Sequence, residues 1–563
     1  MDTEDANTPV ITLYPERFSR FVGKPLNIQE MTQWLPRLGL DIEEIGPDYV
    51  KVEYNPNRPD FSSYAGIARA IQGIIELKLG LPKYKVKRGN VTINVDPSVA
   101  RVRPFIVGAV IRGLKLDQEA VKELMDMQED LHWAIGRNRR KASIGIHDLD
   151  KVESPFSYTT RDENFQFIPL DKNVNMSIKE ILEKHEKGIE FRHLVENTTR
   201  YPIIVDRFDR VLSFPPIING NLTRITEDTR SIFIDVTGPE VAAITHSLNI
   251  LVTTFADMGG TIESVSLKYP DHIEITPNLE PRRMELKLNH ASKLIGLKFS
   301  EKEAAYCLQK ARLGVKKKGR NRFEIIVPAY RVDIMHEVDL IEDLVIGYGY
   351  YRLEPTVPST MTIGQPHRIE EIAETVRQLM IGFGFTEVVN FILTNEETHY
   401  QKMLVEEGEH VKLANPISLE YTMIRESLLP GLMKNLMDNR HESFPQRIFE
   451  IFDVVKVDET TETKTRRELH VGGVSSHPTA CYTEIKSVTE ALLTNLGVSK
   501  WRICEKSHPS FIPGRVAAIY YEEREVGKLG EIHPEVLNNF ELENPVVAFE
   551  INLDGIFGAK TKV

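Results

Sequence analysis

Cysteine is scarce in this chain. Cys307, Cys481 and Cys504 are scattered over 563 residues, with no C-x-x-C pair and no Cys/His cluster. That argues against a disulfide framework and against a structural zinc site, and it suits a reducing compartment. Long apolar runs are missing as well. No stretch reaches the eighteen or so residues that span a bilayer. The opening MDTEDANTPVITLYPERF is acidic and lacks an apolar h-region, so no secretory signal is expected. A soluble, cytoplasmic protein is the expectation. A basic surplus is also absent: the formal net charge is −12, whereas duplex-binding proteins usually carry an excess of Lys and Arg. Any nucleic-acid contact must come from local patches or from a partner chain. There is no fixed-period repeat, no low-complexity tract and no G-x4-G-K-[ST] phosphate loop.

What remains is an ordinary globular composition, 41% hydrophobic and 27% charged, long enough for roughly three to five domains. Four segments can be separated. Residues 1–95 read as a small α/β module. The helix NIQEMTQWLPRLGL is followed by a strand at Val50 and Val52, the rigid turn NPNRPD, and a helix that Ser62 or Ser63 can cap. Residues 96–272 read as a larger mixed α/β domain. Its helix DQEAVKELMDMQEDLHWAIG puts Val121, Leu124, Met125, Leu131 and Ile135 near one stripe. Arg137, Arg139, Arg140 and Lys141 follow it, either compensating a helix C-terminus or contacting phosphate. Farther on, RVLSFPPIING and SIFIDVTG read as two strands around a turn at Asn219, Gly220 and Asn221. The second ends in Asp235, Thr237 and Gly238, where turn chemistry and pocket formation both place such residues. Residues 273–356 read as two short helices, a hairpin turning near Gly319, and an acidic stretch. Residues 357–563 read as a mainly antiparallel sheet with helices. The expected fold class is multidomain α+β.

The acidic stretch AYRVDIMHEVDLIEDLVIGYGYY crowds Asp333, Glu337, Asp339, Glu342 and Asp343 into eleven positions. Helical spacing places Asp339, Glu342 and Asp343 within an arc of about 100°, with Asp333 at least a turn back. Val338, Ile341, Val345 and Tyr348 fall on a second face that should be buried. Like charges at this spacing destabilise a helix. Two explanations are open: a solvated acidic face, or oxygen ligands for a hard cation, with Mg2+ the best fit.

D-x5-D-x2-E-D followed by I-G-Y-G-Y resembles the metal-helix segment of the phenylalanyl-tRNA synthetase β-subunit family, in its archaeal and eukaryotic form. NPNRPDFSSYAGIARAI resembles that family's NRPD motif. SFPPIIN with FIDVTG resembles its editing domain. NPISLEYTMIRESLLPGLMKNL, RIFEIFDVV, GEIHPEVL and AFEINLD resemble its C-terminal domain. The motifs occur in family order over most of the chain. The inserted tRNA-binding barrel and extra C-terminal RNA-binding domain of the bacterial form have no room here.

The resemblance implies a tRNA-editing-like domain at 96–272, a small winged-helix-like metal-helix domain at 273–356, and a noncatalytic class II synthetase-like domain at 357–563. It implies Mg2+ on Asp333, Asp339, Glu342 and Asp343, with Asp343 one methylene shorter than the Glu common there, and it leaves Glu337 solvated. Tyr348 and Tyr350 are read as packing the helix. It implies an α-subunit partner in an (αβ)2 heterotetramer, with tRNA bound, and with ATP and phenylalanine handled by the α subunit. It also implies hydrolysis of mischarged Tyr-tRNA, with Ser213, Asp235 and Thr237 as editing candidates and a positioned water in place of a nucleophile, since no Ser/His/Asp triad is evident. Class II activation needs an arginine at an F-R-x-E turn and a second near the last strand, to offset developing phosphate charge. RIFEIFDVVKVDETTE and FEINLDGIFGAKTKV supply neither, and Arg425 and Arg447 are read as structural or interface residues. Two other functions compete: a stand-alone magnesium-dependent phosphoryl-transfer enzyme, for which only Arg331 is a nearby clamp, and a noncatalytic interaction scaffold.

Overall fold

The computed structural model describes residues 9–358 and 362–558. The acidic opening residues 1–8, and the end of the segment scanned for a final arginine (559–563), lie outside it. The chain divides into two compact units, Met1–Thr356 and Val357–Val563.

The first unit begins with a three-stranded antiparallel sheet. Val50–Glu53 is its central strand, flanked by Val10–Leu13 and Asp41–Ile45. Helices Pro15–Val22, Ile28–Trp34 and Tyr64–Ile74 surround a core of Leu13, Phe18, Met31, Val50, Val52, Ile67 and Ile71. Asn27 and Glu30 form a reciprocal capping box at the second helix, satisfying amides the helix leaves unpaired. Ser63, not Ser62, caps the third helix by accepting from Gly66 N. The NRPD turn closes tightly on that helix: a Cβ at Gly66 would lie 1.6 Å from the Asp60 carbonyl oxygen, so no other residue fits.

The middle of the unit is a ten-stranded mixed sheet. Its order is Ile218–Asn219, Val211–Phe214, Tyr201–Val205, Phe156–Arg161, Val86–Val95, Thr261–Lys268, Phe105–Arg112, Ser231–Gly238 and Ser143–Asp148, with Ile273–Thr276 paired to Thr261–Lys268. Val86–Val95 and Ile273–Thr276 therefore belong to this sheet, so its strands extend on both sides of residues 96–272. Helices Gln118–Ala134 and Val241–Asp257 supply much of one core. Met125 lies off the buried stripe and is 41% exposed, while Met127 is buried. The hairpin after Val211–Phe214 turns at residues 215–217 to pair with Ile218–Asn219, ahead of the turn expected at Asn219–Asn221.

The last part of the unit has a three-stranded sheet with Arg322–Val327 central, between Arg282–Lys287 and Gly314–Gly319. Helices Leu288–Ile295, Glu301–Lys310 and Glu337–Tyr348 pack on it.

The second unit carries a seven-stranded sheet in the order Thr386–Glu387, Gln446–Val457, Thr465–Ser476, Val546–Asn552, Arg524–Ile532, Phe511–Tyr521 and Trp501–Glu505. Every pairing is antiparallel except the first. Period-two alternation sends Phe449, Ile451 and Phe549 into a core with helices Arg368–Gly382 and Tyr482–Asn495. Other positions join a core around helix Leu429–Asp438.

Candidate functional sites

Two cavities of the first unit collect most of the residues singled out by sequence. The first, of about 370 Å³, is lined by Ser213, Asp235, Gly145, Thr223, Glu129 and Arg139 among others. Ser213 and Asp235 sit on strands far apart in the sheet order, so the sheet curls around the cavity. Asp235 is buried, and its register partners on the two neighbouring strands are Gly108 and Gly145. A Cβ at Gly145 would fall 2.3 Å from Asp235 Oδ2 and 2.6 Å from His147 Nε2. Glycine there is what lets the carboxylate meet the imidazole.

That meeting is close. His147 Nε2 lies 2.7 Å from Asp235 Oδ2, and Nδ1 lies 2.8 Å from Thr223 Oγ1. With Nε2–H donating to the carboxylate, Nδ1 is placed to accept from the threonine hydroxyl, whose hydrogen has the Gly220 carbonyl at 3.3 Å as its other acceptor. Both His147 and Thr223 are fully buried. Asp235 spends Oδ2 on His147, and no hydrogen bond to its Oδ1 is seen among the described residues. Ser213 Oγ is buried and has no hydrogen-bond partner. Thr237 is placed differently: its hydroxyl accepts from Arg103 Nε at 2.9 Å and its carbonyl from Arg103 Nη2 at 2.6 Å. It is fully buried and does not line the cavity.

A hydroxyl–imidazole–carboxylate chain thus exists where no Ser/His/Asp triad was evident, with threonine in the hydroxyl place. Its signal in the sequence was a lone histidine in the apolar strand SIGIHD. Within the basic run 137–141, Arg137 and Arg140 are exposed, Lys141 pairs with Glu240, and Arg139 is turned inward. Arg137, Asn138 and Arg139 all have positive φ. Arg139 is buried, donates to the carbonyls of Ile217 (2.8 Å) and Pro216 (3.4 Å), pairs with Glu129 at 2.8 Å and stacks 4.2 Å over Phe191. It pins the hairpin that carries Ser213. His132 accepts from Ile144 N at 2.8 Å, and burial pushes its pKa down to about 4.

The second cavity, of about 690 Å³, brings the NRPD turn to the acidic helix. Asn57, Arg58, Arg37, Arg331, Asp333, Glu342, Asp343 and Tyr350 line it. Arg331 is buried between two carboxylates, 2.7 Å from Asp333 Oδ2 and 2.9 Å from Asp343 Oδ2. Burial alone would raise the Asp333 carboxyl, but the guanidinium more than reverses this and holds it below its ordinary value. Burial raises Asp343, and Arg331 offsets only part of that rise. Arg58 forms a two-point pair with Asp60 (2.9 Å each) and stacks 3.8 Å over Phe61. Arg37 lies between the rings of Trp34 and Tyr351, at 4.2 and 4.3 Å.

The four sequence-derived ligands are not treated alike. Asp333, Glu342 and Asp343 share the cavity. Asp339 is the third residue of the helix and accepts from the Met335 and His336 amides, both at 2.7 Å, which is an N-terminal cap. Glu342 is exposed and has no ion-pair partner among the described residues. Glu337 is not solvated: it accepts from Lys287 N at 2.6 Å and meets His290 Nδ1 at 2.9 Å. Val338, expected to be buried, is 42% exposed, while Ile341 and Val345 are buried. Tyr348 packs edge-on against Phe299, whereas Tyr350 faces the cavity. The carboxylates around Arg331 offer only oxygen, the donor type a hard cation takes, but the guanidinium already stands between Asp333 and Asp343, and among the described residues the group with ligand atoms close enough to share one ion is Glu396, Glu407 and His410. In the other unit, Arg425 is buried against Glu450 at 2.8 Å, and Arg447 reaches Glu484 at 3.3 Å. Both are structural pairs.

Residues 353–553 match the model of the phenylalanyl tRNA synthetase beta chain CLM domain, 284–350 the tRNA synthetase B5 domain, and 111–253 the B3/4 domain. The phenylalanine–tRNA ligase beta subunit of Archaeoglobus fulgidus is 44% identical over 98% of this chain and 99% of its own length. That of Methanothrix thermoacetophila is 44% identical over 97% and 99%. The solved N-terminal fragment of the phenylalanyl-tRNA synthetase beta-subunit from Pyrococcus horikoshii superposes with a TM-score of 0.59 at 37% identity, covering 60% of this chain and 99% of the fragment. The chain belongs to the phenylalanine–tRNA ligase beta-subunit family.

Proposed function

We propose that this chain is the β subunit of a phenylalanine–tRNA ligase. It supports the ATP-dependent attachment of phenylalanine to its tRNA by an α subunit, and it hydrolyses mischarged Tyr-tRNA in the cavity at Asp235. The observation that carries the editing reading is the Asp235–His147 pair, buried at 2.7 Å beside a cavity of mixed polar and apolar lining. A tyrosyl group differs from a phenylalanyl group by one hydroxyl. A fixed carboxylate with one oxygen unbonded among the described residues rewards that hydroxyl and is left unpaired without it, the kind of asymmetry that gives large discrimination. Ser213 offers a second uncommitted hydroxyl. With Thr223 bound to His147, the reading keeps a positioned water as the attacking group.

Residues up to about 85 serve as the N-terminal module, the curled sheet through Thr276 as the editing domain, the residues from there to 356 as a winged-helix-like metal-helix domain, and 357–563 as a class II synthetase-like domain that does not activate amino acid. Supporting the partner reading, the second unit exposes Phe391 (76%), Ile417 (101%) and Leu419 (87%), more apolar surface than a solitary face keeps. These residues meet the α subunit in an (αβ)2 assembly working in the cytoplasm, with ATP and phenylalanine bound on α. Mg2+ would be held at Glu342 with Asp333 and Asp343, retaining waters, and would supply charge neutralisation at the acidic helix. Arg331 already performs part of that task, and Asp339 contributes through its cap.

The test is reconstitution. The chain alone is expected to show no phenylalanine-dependent ATP–pyrophosphate exchange, and the complex with its α subunit to show both exchange and Tyr-tRNA deacylation. Exchange by the isolated chain would overturn the subunit reading.

A further inference from the structure

The second unit contains a cavity that the proposed function does not use. It measures about 330 Å³, at the small end of ligand pockets. Its floor is the seven-stranded sheet, through Lys456, His470, Lys528 and Glu550. Its rim includes His399, Tyr400, Met403, Val405, Glu426 and His508.

The charges on these walls are paired, with one exception. Glu550 is buried and accepts from His470 Nδ1 (2.8 Å), Leu428 N (3.0 Å) and Ser427 Oγ (2.5 Å). Glu426 takes the Tyr400 hydroxyl at 2.6 Å and lies 3.8 Å from Lys456. Glu525 is paired with Lys506. Lys528 has no carboxylate within ion-pair distance among the described residues, and its one polar neighbour is His508 Nε2 at 3.5 Å. That neighbour is a poor acceptor. His508 Nδ1 already accepts from Ser510 N at 3.2 Å, so a neutral ring carries its proton on Nε2, facing the ammonium. Burial keeps His508 neutral, pushing its pKa down to about 4, and it also lowers that of Lys528.

A second group is left over. His399 is 5% exposed, accepts from Glu426 N through Nε2 at 3.3 Å, and has no partner at Nδ1. One cation without a direct ion-pair partner, offset only at longer range by Glu550 and Glu525, and one imidazole N–H without a hydrogen-bond partner therefore belong to a cavity whose remaining walls include Met403, Val405, Pro430 and Val526. His399 is buried and Lys528 half-buried; polar groups left without a full set of partners in such places call for an explanation, and both of these are donors.

We propose that this cavity is a binding site for a small organic monocarboxylate, with its carboxylate on Lys528 and its apolar body against Met403, Val405 and Pro430. A single ammonium suits a monoanion. A phosphate dianion would face Glu550 and Glu426 with only one free cation to offset it. An α-amino acid would bring its own ammonium to the Lys528 side, where both glutamates are already engaged. The site is independent of aminoacylation and of editing.

The experiment is a ligand-observed saturation-transfer NMR titration of the full chain with 3-phenylpropanoate. Its uncharged amide and inorganic phosphate serve as controls. Saturable binding of the carboxylate, with neither control binding, is expected. Lys528→Met is expected to weaken binding at least tenfold in a chain that still melts cooperatively, because it breaks no direct ion pair and removes only the longer-range support that Lys528 gives the ionised Glu550. Val405→Trp fills the cavity, keeps every charge, and is expected to abolish binding, which keeps the proposal testable if Lys528→Met folds poorly. Equal binding of the amide, preferential binding of phosphate, or undiminished binding by a folded Lys528→Met or Val405→Trp chain would overturn it.

Discussion

Ser213→Ala separates a ligand-binding hydroxyl from a structural one. Ser213 is 2% exposed and its Oγ has no partner. A buried hydroxyl without a partner carries an uncompensated desolvation cost of about 1–3 kcal/mol. Deleting it removes that cost and a small amount of packing, so stability should be unchanged or rise by about 1 kcal/mol. Function should move the other way. If Oγ bonds the bound aminoacyl group, its loss removes a neutral hydrogen bond of about 0.5–1.5 kcal/mol, or roughly a two- to twelvefold fall in kcat/KM. The assay is deacylation of Tyr-tRNA by the assembled complex, with phenylalanylation of tRNA as an internal control that should not change. Urea unfolding of the full chain gives the stability arm. Deacylation at the wild-type rate would refute the assignment. A loss of more than about 1 kcal/mol would show instead that the hydroxyl has a structural partner.

Three further expectations follow from the same geometry. His147→Leu leaves the buried Asp235 carboxylate without its donor; it should cost about 1.5–3 kcal/mol and suppress Tyr-tRNA deacylation, whereas a variant of wild-type stability that deacylates normally contradicts the pair's role. Glu342→Gln should abolish any rise in melting temperature on replacing EDTA with Mg2+, and an undiminished response would place the ion elsewhere. His132, whose pKa falls from 6.5 to about 4 in the folded chain, should make the first unit less stable as pH drops. The unfolded chain takes up a proton below 6.5 that the folded one refuses until about 4, so stability is full above 6.5 and declines by up to about 3 kcal/mol on the way down. His132→Gln should flatten that slope in denaturant titrations between pH 7 and 4, and an unchanged slope would assign it to other groups.

The parts of the chain that could be read in advance are those where local chemistry and the global fold agree. Asn27 with Glu30, Ser63 before Gly66, and the alternation of RIFEIFDVV each announce an element from adjacent residues, and each is found. What escaped prediction depends on contacts between residues distant in sequence. The strand Val86–Val95 looks like the end of the first module, yet it lies inside the large sheet because its partners come from 156–161 and 261–268. Val338 has a buried residue's spacing but sits in the first turn, beyond the packed surface. Arg139 reads as one of four surface cations and is a buried clamp on a hairpin nearly eighty residues away.

The site residues divide along the same line. Asp235 stood out because a carboxylate within an otherwise apolar strand is locally anomalous. Its partner His147 was equally anomalous within SIGIHD, but the pairing requires the strand register that sets Asp235 opposite Gly145. Sequence shows the two anomalies separately; only the register, with glycine removing the intervening Cβ, makes them one feature. The acidic helix carries the converse lesson. Five carboxylates at helical spacing look like one ligand set, yet each is assigned differently by what surrounds it. Asp339 serves the backbone, Glu337 serves a neighbouring strand and helix, Asp333 and Asp343 share Arg331, and Glu342 alone has no such partner among the described residues. Carboxylate spacing limits which groups can meet a cation. The competing donors, Arg331 above all, decide which of them are free to do so.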